Sequence, residues 1–157
     1  MTNKESNKET LLKSKTFCMI PWTHLHTWPD GRVLSCCMSP SNMPMGNLKD
    51  VSLEEAWNSE TYKTIRQQML NSERPEMCTR CFREEDAGIT STRQNWNIKW
   101  DQDRDYPVEA PFTIRYVDIR LGNLCNLKCR MCNPYASNQW VKEWHLVEDA
   151  LEESEYN

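Results

Sequence analysis

Three cysteines, Cys125, Cys129 and Cys132, stand at the spacing CxxxCxxC between Leu121 and Cys132. A run that alternates like a strand precedes them, and a stretch that reads as a helix follows. This loop constrains the chain more than any other feature. Three thiolates on one short loop can hold three irons of a cubane cluster and leave the fourth iron without a protein ligand. Structural zinc prefers a closed set of four ligands, so an open iron–sulfur site is the better match. An iron left open is a place for a small molecule to bind.

Four of the remaining cysteines form a second set: Cys18, then Gly31-xxxx-Cys36, then Cys78-xx-Cys81, with Cys37 adjoining Cys36. Trp22, His24, His26 and Trp28 alternate, Pro29–Asp30–Gly31 supplies turn chemistry, and Arg32–Val33–Leu34–Ser35 returns, so a hairpin is expected. Cys18 would enter one strand and Cys36 leave the other, which brings the two together. A CxxC loop lets both its thiolates reach one centre. Four thiolates equally suit a closed 4Fe–4S cluster or a structural zinc, and ligand count does not separate them. The glycine spacing points to Cys36 over Cys37 as ligand.

The chain has 157 residues, 27% of them charged and 38% hydrophobic, yet it has seven tryptophans. That combination suggests small aromatic cores stapled by metal sites. Residues 1–15 have no apolar central segment or cleavage site, so they read as a disordered lead-in and not a signal peptide. No apolar run approaches the roughly 20 residues that cross a bilayer. A cytoplasmic location is expected, where thiols stay reduced and ligate metals instead of pairing as disulfides. The net charge of −4 argues against nucleic acid as a partner.

Gly46–Asn47–Leu48 leads toward a helix in which Ser52 and Glu55 have the capping-box form. Ser59 caps a second helix to about Asn71, with Tyr62, Ile65 and Met69 on its inner face. Phe82 to about Trp100 reads as one helix. Residues 101–111, charged and proline-bearing, read as a linker. Phe112 to Leu121 reads as a strand, and Asn133–Pro134 opens a helix that buries Trp140, Val141, Trp144 and Val147. His24 and His26 read as packed or edge strand histidines, and His145 as a surface residue. Arg120 and Asn123, flanking the loop, are candidates to hydrogen-bond cluster sulfides or a bound cofactor, with a solvated or backbone-bonding role as the plainer alternative.

The loop Cys125–Asn126–Leu127–Lys128–Cys129–Arg130–Met131–Cys132, with Asn133–Pro134 after it, resembles the cluster motif of the radical S-adenosylmethionine enzymes. It departs from that motif at Met131, where an aromatic residue is usual, which touches adenine packing. The resemblance implies that Cys125, Cys129 and Cys132 hold a 4Fe–4S cluster whose open iron binds S-adenosylmethionine. It further implies reductive cleavage of that cofactor to a deoxyadenosyl radical that abstracts hydrogen from a substrate. The set Cys18, Gly31, Cys36, Cys78 and Cys81 resembles the auxiliary-cluster region of SPASM and twitch domains, as does Gly46–Asn47–Leu48 through Trp57–Asn58. It implies one auxiliary 4Fe–4S cluster, with zinc the alternative. In that family the auxiliary domain usually follows the barrel, whereas here it precedes the motif.

The expected architecture is α+β. A small cysteine-rich hairpin-plus-helices, twitch-like domain (16–100) and a linker (101–111) precede the first strand, loop and helix of an incomplete (β/α)6 barrel (112–157). The glycine-rich and later-strand contacts that the family makes to S-adenosylmethionine have no counterpart in this sequence, so the chain is expected to be the N-terminal portion of such an enzyme. Its expected partners are S-adenosylmethionine, an electron donor such as a flavodoxin or ferredoxin, and a second polypeptide that completes the barrel. The alternative is a stand-alone iron–sulfur or zinc module without catalysis. Nothing in the sequence chooses between peptide and small-molecule substrates.

Overall fold

The computed structural model describes Leu11, residues 13–99 and residues 105–155, in two compact units that divide between Arg120 and Leu121. The first unit is α+β, as expected. Strands β1 (His24–Thr27) and β2 (Arg32–Leu34) form the anticipated hairpin, pairing His26 with Leu34 and Thr27 with Val33. Gly31 makes the turn possible: its φ of +92° is the left-handed region that side chains rarely adopt. Asp30 helps close the turn by accepting the Arg32 N–H at 3.1 Å. Trp22 and Trp28 lie outside the strand, Trp22 in a 3-10 turn spanning Ile20–Trp22.

Gly46–Asn47 does not begin a helix. It forms a short strand β3, antiparallel to β2, and β4 (Tyr116–Ile119) pairs parallel with β1, giving the order β3-β2-β1-β4. The expected strand over 112–121 is thus only four residues long.

The two short-range caps are as read. In α1 (Leu53–Trp57) Ser52 and Glu55 bond reciprocally, and in α2 (Glu60–Leu70) Ser59 accepts the Tyr62 N–H. Tyr62, Ile65 and Met69 face the core, where Phe17, Trp22 and Tyr106 meet ring to ring at 4.7–5.5 Å. Residues 105–111, read as linker, run along this core. The Trp22 indole donates to the Pro107 carbonyl, and Asn58 both donates to the Ala110 carbonyl and accepts its N–H. Residues 101–104 and most of the lead-in lie outside the described residues; Leu11 packs against the core.

The single helix expected over Phe82–Trp100 is two, α3 (Thr79–Asp86) and α4 (Thr92–Lys99), with Trp100 outside the described residues. Gly88 ends the first at φ +78°. Ser91 and Gln94 then start the second with a capping box, side chain to backbone N–H in both directions.

In the second unit, the helix expected from Asn133 is corrected. Ser137 leaves the helical region (φ −150°) and donates its hydroxyl to the Leu127 carbonyl at 2.7 Å. A 3-10 turn follows at Asn138–Trp140, and the helix, α5, spans Trp144–Glu155. Of the face expected to be buried, Trp140, Trp144 and Val147 are half-buried and Val141 is 58% exposed. Among the described residues no helix is long and apolar enough to cross a membrane.

Candidate metal centre

Cys18, Cys36, Cys78 and Cys81 line one cavity of about 20 Å³, walled by Ile20, Met38 and Met77. Each arrives on a different local device. Cys18 precedes the 3-10 turn at Ile20–Trp22, Cys36 leaves β2, and Cys78 ends a 3-10 turn (Glu76–Cys78) from which α3 carries Cys81. Ser39 approaches the Cys36 sulfur at 3.5 Å and bonds Ser35 at 2.6 Å; Ser35 donates to the Met77 sulfur at 3.3 Å. That chain of contacts ties the hairpin exit to the CxxC turn. Cys37 is exposed.

Burial pushes all four thiols above the usual thiol range, and for Cys18 and Cys78 the neighbouring cysteines add to the shift. Thiolate is the ligating form, so a metal or cluster held there would displace the thiol protons. Four soft sulfur donors between apolar walls fit an iron–sulfur cluster or zinc. Among the described residues no three His, Cys, Asp or Glu side chains are gathered tightly enough to hold a single metal ion. A tetrahedral zinc, with its sulfurs about 2.3 Å from the metal, would need the thiols drawn in.

In the second unit the three-cysteine loop is held from outside by backbone bonds. Asn138 donates its N–H to the Asn123 carbonyl at 2.8 Å, and its side-chain oxygen accepts the Cys125 N–H at 3.4 Å. The Trp140 indole donates to the Cys129 carbonyl at 3.0 Å, as does the Cys132 N–H. Slight burial and then the proximity of Cys129 and Cys125 raise the Cys132 thiol. The loop turns outward, with Leu124 and Met131 more than nine-tenths exposed. Asn123 is engaged with the backbone, donating to the Pro134 carbonyl at 2.7 Å.

Arg120 lies over the Trp28 ring at 4.7 Å, within the first unit. His24 and His26 are buried, His24 stacked on Tyr116 at 4.8 Å. His26 accepts from the Trp28 indole at 3.0 Å and sits 2.9 Å from Asp118, its register partner on β4. His145 is exposed. Three residues with a part here were not singled out from sequence: Asp118, Arg93 and Asn97. The last two are four apart on α4, the spacing that puts side chains on one helix face.

Residues 18–82 match the SPASM family model, described as an iron-sulfur cluster-binding domain. No curated protein and no solved structure gives a match. The segment bearing Cys18, Cys36, Cys78 and Cys81 is therefore similar to a SPASM iron–sulfur cluster-binding domain.

Proposed function

We propose that the chain is an iron–sulfur protein of radical S-adenosylmethionine chemistry. Cys18, Cys36, Cys78 and Cys81 would hold an auxiliary 4Fe–4S cluster, and Cys125, Cys129 and Cys132 a second one that binds S-adenosylmethionine. The observation that carries the first half is the convergence of Cys18, Cys36 and the Cys78–Cys81 pair, from three separate stretches of sequence, on one apolar cavity inside the segment that matches SPASM. The second half is supported by the CxxxCxxC spacing and by the exposure of the loop around it.

When bound, the loop cluster would supply the electron that cleaves S-adenosylmethionine to methionine and a deoxyadenosyl radical. The chain's own residues have simpler tasks. The four thiols, of which Cys18 and Cys81 are buried and Cys36 and Cys78 half-buried, would form a closed ligand set, which suits electron transfer or structural support and would leave no coordination position for substrate. The three loop thiols, Cys129 exposed and Cys125 and Cys132 half-buried, would leave a position that a cofactor can reach. An electron donor such as a flavodoxin or ferredoxin would be the partner of such a protein.

Anaerobic reconstitution tests the reading. Two cubanes require about eight irons and eight sulfides per chain. About four irons with one zinc would overturn the auxiliary-cluster assignment, and no iron would overturn both. Deoxyadenosine formed from S-adenosylmethionine and a strong reductant, and lost in Cys129→Ala, would support the second half.

A further inference from the structure

Cys18, like Cys36, has no near neighbour in sequence among the other cysteines of its set. Its backbone is bracketed from a helix far along the chain. Asn97 on α4 donates to the Phe17 carbonyl at 2.8 Å and accepts the Met19 N–H at 3.0 Å, one bond on each side of Cys18. One turn earlier on the same face, Arg93 donates to the same Phe17 carbonyl at 2.6 Å and to the Ser14 carbonyl at 3.1 Å.

The rest of the Arg93 guanidinium forms a two-bond fork on Glu85, which Ser91 also meets. Glu85 lies four residues after Cys81 on α3, one helical turn along. Arg93 and Asn97 are 4% and 5% exposed. Backbone at Arg93 also offers Cys81 a hydrogen bond, and Arg93 is among the residues that line the cavity. One helix face therefore holds the Cys18 segment with one hand and the Cys81 helix with the other. That helix, Thr92–Lys99, lies outside the matched residues 18–82.

We propose that α4 completes the four-cysteine site, with Asn97 and Arg93 as positioning residues that hold Cys18 in register with the Cys78–Cys81 turn. The proposal rests on the reading of that site as a metal centre. An unheld Cys18 segment would have to be ordered each time the site is filled, and that entropy would be taken from the affinity. Outer contacts of this kind weigh about 10–100-fold in metal affinity. Arg93 also places a buried positive charge, shared with Glu85, beside a site that would gain negative charge if a cluster held there were reduced.

The test uses the full chain with Cys125, Cys129 and Cys132 replaced by alanine, so that only the four-cysteine site can hold iron. If this parent binds no iron, the reading of the site fails, and the proposal with it. If it loads, Asn97→Ala is compared with it for iron and sulfide content, for iron loss to a chelator, and for the electron paramagnetic resonance of the reduced cluster. The expected result is iron loss about tenfold faster or more, approaching that of Cys18→Ser, with an altered spectrum. A folded Asn97→Ala that retains iron as the parent does, with an unchanged spectrum, would overturn the proposal. Should Asn97→Ala fail to fold by circular dichroism, Arg93→Lys carries the same test. It keeps the charge and loses the fork, and unchanged iron retention there would overturn the proposal equally.

Discussion

Arg66 donates from Nε and Nη2 to the carbonyl of Pro21, at 3.1 and 2.9 Å, with no exposed surface. Its third nitrogen reaches the Asn58 side chain and the Val108 carbonyl, and the rings of Trp22, Trp57 and Tyr62 surround the guanidinium at 4.8–5.9 Å. Burial draws its pKa down to about 10, which leaves the group charged at neutral pH. This one side chain joins α2, the segment after Cys18 and residues 105–111. Arg66→Met would leave the Pro21 and Val108 carbonyls without this donor, while the Asn58 side-chain oxygen keeps the Ala110 N–H, and a loss of about 3 kcal/mol is expected. Arg66→Lys keeps the charge but not the planar fork, and most of the loss should persist. Urea unfolding of both variants checks this; a midpoint within error of the parent would contradict it.

A second expectation concerns acid. His24 is 1% exposed, and neither ring nitrogen has a partner of normal hydrogen-bond geometry among the described residues. Burial, and after it the neighbouring His26, holds its pKa at about 4, against the opposing pull of Asp118 and the Ser35 backbone. The native state therefore favours the neutral ring. Between about pH 6.5 and pH 4 the unfolded chain binds a proton that the native chain refuses. The stability that this group contributes is complete above about pH 6.5 and is lost as the pH falls toward 4, by up to about 3 kcal/mol. Urea midpoints of metal-free protein at pH 7.5, 6 and 5 should fall in that order. In His24→Gln the dependence should flatten, and a slope equal to the parent's would assign it to other groups.

These two residues mark where sequence reading stops. Ser52 with Glu55, Ser59, and Gly31 in its turn were legible because each signal and its partner lie within a few residues. Arg66 stands among polar neighbours on α2, and only the aromatic rings brought to it from other segments make it a core residue. Helix extent failed where a local competitor intervened, Gly88 in one case and the Ser137 hydroxyl in the other. The cysteine sets could be grouped because their spacings are local. The clamp on Cys18 could not be seen, since Asn97 acts across 78 residues.

Gly31 gives a prediction that links turn to site. A Cβ there would lie 2.5 Å from the Asn47 side-chain oxygen, which is already accepting the Lys49 N–H at 3.0 Å. Asn47 could swing away, but the φ of +92° would remain strained for any side chain. Gly31→Ala should cost about 1–3 kcal/mol and loosen the exit of β2 that carries Cys36. Thermal unfolding reads the first effect, and faster iron loss from the reconstituted chain the second. Gly88, whose φ is +78° and whose added Cβ would meet nothing within 4 Å, is the comparison for thermal unfolding alone: Gly88→Ala carries the backbone strain without the clash and should cost less than Gly31→Ala.

Cys36 and Cys37 can be separated by experiment. Past β2 the chain bends and turns, the Ser39 N–H bonding the Cys36 carbonyl at 3.2 Å, and Cys36 lines the cavity with Cys18, Cys78 and Cys81 while Cys37 is exposed. Partial burial, and after it Asp118, raises the Cys37 thiol. If Cys36 is the ligand, Cys36→Ser should remove about four irons per chain, whereas Cys37→Ser should keep them. The readout is iron and sulfide after anaerobic reconstitution, alongside alkylation of the remaining thiols by iodoacetamide. In the loaded chain Cys37 should react and Cys36 should be protected. Equal iron loss in both variants would mean that the backbone after β2 rearranges when the site is filled, and retention in Cys36→Ser alone would move the ligand to Cys37.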